Sequence, residues 1–442
     1  MQETETGVTT GGQEVSQGSE LMRVPLLRRG LGSAGPQDKR EPKVLRRPLG
    51  LVGGAVFAIS LAAFFRTPLL PDIGRDLSLS ASQLSLITAA FAVGRLAMDL
   101  PAGRFADGHS PHRVLAGAGF ILCVASLGLG VAQSLVHALG AAVLLGIASS
   151  VTNTTGMAQF SSRVPDDRRG AALAIFSMSL LSGQTFGPAL GGLVAAWGTW
   201  RTAQVAAAAI GAGVVLVCLF RRSPAPTHAP EDTVVPDEHD EAGHGDFSRA
   251  ERVVLGLIPF TVFFTLASLP NTLVPLIGAD DLGLPAATIG LVLGAGGLSR
   301  FVGAAAAGAI SDRRSRKAAL IPGLALMAGG TAILALPPTV VSWTAAILLM
   351  SLGSSGVAVA ATILGDRAPP GRMGRRLSTF RFTADLGLLC GPILTGWIYE
   401  TAGRAESVLL VAAMLASCAL AATALAETHP ARAGTHDRPF EL

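Results

Sequence analysis

Charge is what this chain lacks. Of its 442 residues only 14% are Asp, Glu, Lys or Arg, while 50% are apolar. A soluble domain carries about 25% charged residues, so an ordinary water-soluble fold is excluded. Lysine is nearly missing: Lys39, Lys43 and Lys317 stand against 31 arginines. None of the three follows a glycine, so the Gly-Lys-Ser/Thr of a phosphate-binding loop is absent and ATP hydrolysis is excluded. There is no His-Glu-x-x-His and no Gly-x-Ser-x-Gly, and the single histidine at span depth, His137, sits at a helix edge. An intramembrane hydrolase therefore has no machinery here. The four cysteines (Cys123, Cys218, Cys390, Cys418) lie singly in apolar segments, without metal-ligand spacing. They read as small buried apolar residues, and neither a metal nor a cofactor is expected. No nucleic-acid partner is expected either.

What is present is long apolar runs. Candidate spans cover roughly 49–71, 82–103, 113–132, 136–159, 170–196, 203–220, 253–277, 287–309, 318–336, 341–364, 376–399 and 406–426. Each is close to the roughly 20 residues a helix needs to cross a bilayer. The expected fold is an all-α membrane protein of 12 transmembrane helices in two pseudo-symmetric six-helix bundles. Residues 1–48 read as a disordered cytoplasmic N-terminal tail, 49–220 and 253–426 as the bundles, 221–252 as a cytoplasmic linker and 427–442 as a cytoplasmic C-terminal tail. Within the linker, Asp237-Glu238-His239-Asp240-Glu241 and His244 could hold a metal ion, but a solvated linker is the better reading.

The halves echo each other. Arg95, Gly103 and Asp107 recur 205 residues later as Arg300, Gly308 and Asp312, and Asp76-Leu77 recurs as Asp281-Leu282. At an offset of 204, Gly183, Gly187 and Pro188 recur as Gly387, Gly391 and Pro392. Two related halves full of membrane-length segments point to a transporter. Basic residues fix the expected orientation. With both termini inside, the inner segments hold 27 Lys and Arg and the outer loops hold four, Arg66, Arg75, Arg201 and Arg404. That bias places both termini in the cytoplasm of a cell inner (plasma) membrane.

Ionisable residues at membrane depth are costly and suggest function. The second span holds Arg95 and Asp99, and the eleventh holds Arg381 and Asp385. Their i,i+4 spacing lets each pair neutralise itself on one helix face. The functional reading makes Asp99 or Asp385 a proton carrier; the alternative is structural ion pairing. Arg300 has no local partner and needs one on another helix. Arg66 either lines the pathway or snorkels to the headgroups. Gln184, Asn271 and Asn153, the last on the polar face of the fourth span, either line the cavity or bond neighbouring helices.

The chain resembles the major facilitator superfamily over about 49–426. Gly103, Asp107 and Arg113 match part of the family's motif between helices 2 and 3, although Gly108, Pro111 and His112 stand at basic positions. Gly308, Asp312, Arg313, Ser315, Arg316 and Lys317 match its counterpart between helices 8 and 9 more fully. The resemblance implies that these clusters are cytoplasmic gates latching the halves in the outward-facing state, and that helices 1, 4, 7 and 10 line the cavity. Gly183, Gly187, Pro188, Gly191 and Gly192 look like the antiporter motif of drug:proton exchangers. The glycine stripe packs tightly and the proline bends the helix, with Gly387, Gly391 and Pro392 as the related set. One departure stands out: Ala142, four residues before Gly146, occupies the place of those exchangers' helix-4 arginine.

These residues together imply a non-enzymatic secondary transporter working by alternating access. Proton-coupled efflux of small, partly apolar molecules is the first reading. Proton-coupled uptake of a small anionic metabolite is the alternative, because the spans hold four arginines against two acids. A non-transporting sensor of the same fold is the third. The partners expected are a small-molecule substrate, protons as coupling ion and the lipid bilayer, with the protein a monomer.

Overall fold

The computed structural model describes residues 41–162, 169–220, 247–366 and 373–428. The Asp237–His244 cluster, most of the N-terminal tail and the end of the C-terminal tail lie outside the described residues. Every regular element described is helical. That is what a lipid solvent demands, since a helix satisfies its backbone polar groups internally. Twelve helical segments stand among the described residues. They are α1 (Gly50–Leu77), α2 (Ala81–Gly108), α3 (Pro111–Gly130), α4 (Leu135–Ser162), α5 (Arg169–Ala196) and α6 (Trp200–Phe220). The second set is α7 (Arg249–Asp281), α8 (Ala286–Arg313), α9 (Arg316–Ile333), α10 (Val340–Asp366), α11 (Met373–Thr401) and α12 (Arg404–Ala422). Ten of the twelve are long and apolar enough to cross a membrane. The other two, α9 and α11, are diluted by Arg316 and Lys317 and by Arg381 and Asp385.

Local chemistry sets the boundaries. Ser80 accepts from Gln83 N and Gln83 reaches back to Ser80 N, a reciprocal cap that starts α2. Ser248 with Glu251 does the same for α7, and Ser315 accepts from Ala318 N at α9. Several helices run further than expected, and in two of them irregular turns carry the helix on. A 3₁₀ turn at Thr67–Leu69 carries α1 past Pro68 to Leu77. In α7, π turns at Leu269–Leu273 and Ile277–Asp281 absorb Pro270 and Pro275, so the helix continues to Asp281 instead of stopping near 277.

The helices pack as two groups. In the first, α2 lies on α4 and α3 on α6; in the second, α7 lies on α11, α8 on α10 and α9 on α12. The groups meet where α5 packs on α8 and α2 on α11. Glycines set these distances. A Cβ on Gly183 or Gly187 would stand 2.6 Å from the carbonyl of Phe57 or Leu61 on α1, and one on Gly391 2.6 Å from that of Phe264 on α7. The repeated glycines thus seat α5 on α1 and α11 on α7. Pro188 and Pro392 lie inside uninterrupted helices. At the group boundary, Gly192 packs on Ala286, and Gly290 packs on Pro188.

The bundle has two ends, named here by Asp76 and Asp312. On the Asp76 face Arg201 Nη2 binds Asp76 Oδ2 at 2.8 Å, and Arg404 Nη1 binds Asp281 Oδ2 at 2.9 Å. These equivalent pairs explain why Asp76 and Asp281 recur in the sequence. The same face carries links between the groups. Glu400 Oε2, at the end of α11, accepts from Ser80 Oγ at 2.9 Å and Ser82 N at 3.0 Å, and Arg75 lies 3.9 Å from Asp280. The Ser82 and Ser80 hydrogen bonds hold the Glu400 carboxyl below the ordinary carboxylate range. On the Asp312 face the described contacts stay within the second group. Arg316 bonds Asp312 Oδ1 at 2.9 Å and Asp366 Oδ2 at 3.0 Å, and Glu427 accepts from Arg316 N at 2.9 Å.

Candidate functional site

The ionisable residues of the spans converge from different helices. Arg95 lies 14 residues into α2 and Asp385 16 residues before the end of α11, so both stand about 21–24 Å from the Asp76 face. Arg95 Nε and Nη2 each donate to Asp385 Oδ1 at 3.4 Å, and Nη1 donates to Ser149 Oγ on α4 at 3.3 Å. Asp385 is buried, with 4% exposure. Ser150 Oγ donates to Asp99 Oδ1 at 2.5 Å. The Asp99 carboxyl is a neighbour of the Asp385 carboxyl. Arg381 Nη1 donates to Met157 Sδ on α4 at 3.4 Å.

This corrects the sequence reading that Arg95 pairs with Asp99 and Arg381 with Asp385. In both pairs the cation precedes the acid by four residues, which is the weaker order on a helix. Long side chains lean toward the helix N-terminus, so each guanidinium points away from the acid one turn on. The Arg95–Asp385 pair instead joins the two helix groups.

Like Arg381, Arg66 and Arg300 make no ion pair with a carboxylate among the described residues. Arg66 does not snorkel to an interface. It is 5% exposed, with its guanidinium carbon 4.7 Å from the centre of the Phe91 ring on α2. Its Nε and Nη1 are sealed and lack hydrogen-bond partners. Arg300 Nε is sealed and unpartnered as well, so the expected partner on another helix does not appear among the described residues.

The remaining expected residues divide. Asn153, Gln184 and Asn271 are half-buried, and Thr88 Oγ1 donates to the Asn271 carbonyl at 3.5 Å. Gly103 and Asp107 belong to α2, and their surroundings lie outside what is described. Arg113 and Arg313 are exposed. Gly308, expected in a cytoplasmic gate motif, faces open space, since a Cβ there would meet nothing within 4 Å. Lys317 Nζ donates to the Thr423 carbonyl at 2.6 Å. Among the described residues no group of His, Cys, Asp or Glu could hold a metal ion.

Sequence reasoning missed Ser149, Ser150, Met157 and Phe91, all next to the charged groups. Ser149 and Ser150 precede the Thr152–Thr155 polar run of α4, a signal that could have found them. Nothing in the sequence marks Glu400 as a cap for α2.

Known proteins share sequence and the helical fold with this chain. The chain is 23% identical over 352 residues to a protein of Lactococcus lactis named multi-drug resistance efflux pump PmrA homolog, covering 74% of this chain and 82% of that one. It is 31% identical over 185 residues to a probable sulfoacetate transporter, SauU, of Cupriavidus necator, covering 41% and 42%. The fold matches the crystal structure of a bacterial homolog of the human lysosomal transporter Spinster, in an inward-facing and occupied conformation. The TM-score is 0.70 at 16% identity, covering 86% of this chain and 96% of that one. The Major Facilitator Superfamily model matches residues 52–348 and 255–440, so the chain belongs to that superfamily and is a multi-pass membrane transporter.

Proposed function

We propose that this chain is a proton-coupled exporter of small, partly apolar molecules, moving them across a bacterial plasma membrane by alternating access as a monomer. The carrying observation is the Arg95–Asp385 pair between the helix groups, with the Asp99 carboxyl beside it. A buried ion pair loses its attraction when its carboxylate takes a proton. Protonation of Asp385 releases Arg95 and loosens α2 from α11, while loss of the proton draws them together. Asp99, held by Ser150, is the neighbour with which Asp385 exchanges the proton.

The excess of basic residues supports placing the Asp312 face in the cytoplasm. The described state is then closed outside, through Glu400 and the α5–α8 contact, and its inner ends are the ones free to part. In this reading 49–220 and 253–426 are the moving halves, with the 221–252 linker and both tails cytoplasmic. Residues Gly103–Arg113 and Gly308–Lys317 latch the inner ends when the outer face opens, and Asn153, Gln184, Asn271 and Arg381 line the pathway. Resemblance to a multidrug efflux pump homolog supports export.

The test uses inside-out vesicles holding the chain and an imposed pH gradient. Members of a panel of amphiphilic drugs should discharge the gradient with wild-type protein but not with Asp385→Asn. Gradient-independent flux, or discharge unchanged in Asp385→Asn, overturns the coupling.

A further inference from the structure

We propose that the transported molecule is an organic anion with an apolar or aromatic body, held at its charged end by Arg66 and Arg300. The proposal rests on the transport reading above and names its substrate class.

At membrane depth the spans carry four guanidiniums. Arg95 has Asp385, and Arg381 has Met157. Arg66 and Arg300 have no acid among the described residues, and three of their nitrogens are both sealed and unbonded. Taking an ion out of water costs of order several kcal/mol, whereas a cation–π contact returns only about 0.5–2 kcal/mol. The Phe91 ring therefore does not offset the burial of Arg66. Water in the pathway does not reach the sealed nitrogens. Arg300 is half-buried with one nitrogen sealed, so its cost is smaller than that of Arg66. Two such cations without an acid, on helices from different groups, are what an anion site looks like before its ligand arrives.

The helices aim the two groups at a common level. Arg66 lies 11 residues before the end of α1, about 16 Å from the Asp76 face, and Arg300 lies 14 residues into α8, about 21 Å from it. Side chains lean toward the helix N-terminus, and α1 and α8 run in opposite directions, so each guanidinium leans toward the other's depth. The Thr67–Leu69 turn that follows Arg66 packs directly on α8 and α5. Gly297, one turn before Arg300, abuts Thr185 of α5, whose Oγ1 is buried and also unbonded. A carboxylate or sulfonate between them would gain charge-assisted bonds from the guanidiniums and a hydroxyl donor from Thr185.

The surroundings define the rest of the molecule. Phe91 also meets Phe64 edge-on, with ring centroids 6.3 Å apart, so an aromatic wall flanks Arg66. That wall suits an apolar body and offers nothing to a small polyhydroxylated one.

The test is binding to purified full-length protein in detergent, where no gradient is needed. The probes are matched acids and neutral amides: 2-naphthoate with 2-naphthamide, naphthalene-2-sulfonate with its sulfonamide, and decanoate with decanamide. At least one acid should raise the melting temperature where its amide does not. Arg66→Gln and Arg300→Gln should each weaken that acid at least tenfold, with the Lys variants keeping part of the affinity. The ligand-free Gln variants should melt no lower than wild type, because each removes an uncompensated charge; a structural arginine would give the opposite. Binding by no acid, equal binding of amides, or full affinity in both Gln variants overturns the proposal. Failure of gradient-driven flux alone would overturn only the coupling mechanism.

Discussion

Arg95 and Asp385 sit 290 positions apart in sequence, yet the guanidinium of one lies 3.4 Å from the carboxylate of the other, between α2 and α11. Removing one partner of a buried pair costs about 3–5 kcal/mol, because the other charge is left uncompensated. Arg95→Gln and Asp385→Asn should each destabilise the purified protein on that scale, and the double variant should recover more than half of the summed loss. Denaturant unfolding in a double-mutant cycle measures this, and strictly additive losses would show that the two residues do not interact.

Gly187 and Gly308 each stand in a repeated motif, yet their settings in space are opposite. A Cβ at Gly187 would stand 2.6 Å from the Leu61 carbonyl and 2.9 Å from Phe64 Cβ, whereas at Gly308 it meets nothing within 4 Å. Gly187→Ala should cost about 1–3 kcal/mol as an overpacked contact. Gly308→Ala should leave the melting temperature unchanged or raise it slightly. Equal effects of the two substitutions would count against the α1–α5 packing described.

Glu400 caps the start of α2 from across the bundle, with its carboxyl held below the ordinary range by Ser82 and Ser80. A lowered folded value means that the contact contributes fully above the ordinary carboxylate value of about 4.3 and is lost as pH falls through the lowered one. Glu400→Gln should therefore open the Asp76 face at neutral pH. A cysteine placed at Leu79 should react with an impermeant maleimide faster in that variant than in its absence. In the parent Leu79→Cys protein, with rates taken relative to a free thiol at each pH, the same rise should appear only as pH falls below the ordinary carboxylate range. Identical labelling at pH 7 with and without Glu400→Gln would remove Glu400 as a closure contact.

The Asp76–Arg201 and Asp281–Arg404 pairs are partly exposed, so solvent screens them. Asp281→Asn and Asp76→Asn should each cost no more than about 1 kcal/mol, with the difference from wild type shrinking in molar salt. Thermal unfolding at two ionic strengths checks this. A salt-independent loss of several kcal/mol would mean that each pair holds its own half together far more firmly than its exposure allows.

Much was written plainly in the chain. Apolar runs of membrane length demand helices, because lipid offers no partner to a free backbone group. The repeats at offsets of 205 and 204 announced the paired architecture, and the glycine spacing announced close packing, since only glycine lets two backbones approach so nearly. The reciprocal cap at Ser80–Gln83 follows a local pattern of the same kind. These features depend on neighbours a few residues apart, or on a periodicity that one dimension can hold.

Partner choice among the charges belonged to the tertiary structure. Sequence spacing offered Arg95 to Asp99 and Arg381 to Asp385. The lean of helical side chains and the meeting of α2 with α11 gave Arg95 to Asp385, Asp99 to Ser150 and Arg381 to Met157. The same holds for the burial of Arg66 on Phe91, the solitude of Arg300 and the reach of Glu400 to Ser80. Electrostatic energy at membrane depth depends on distance and exclusion of water, and both are set only when helices far apart in the chain come into register.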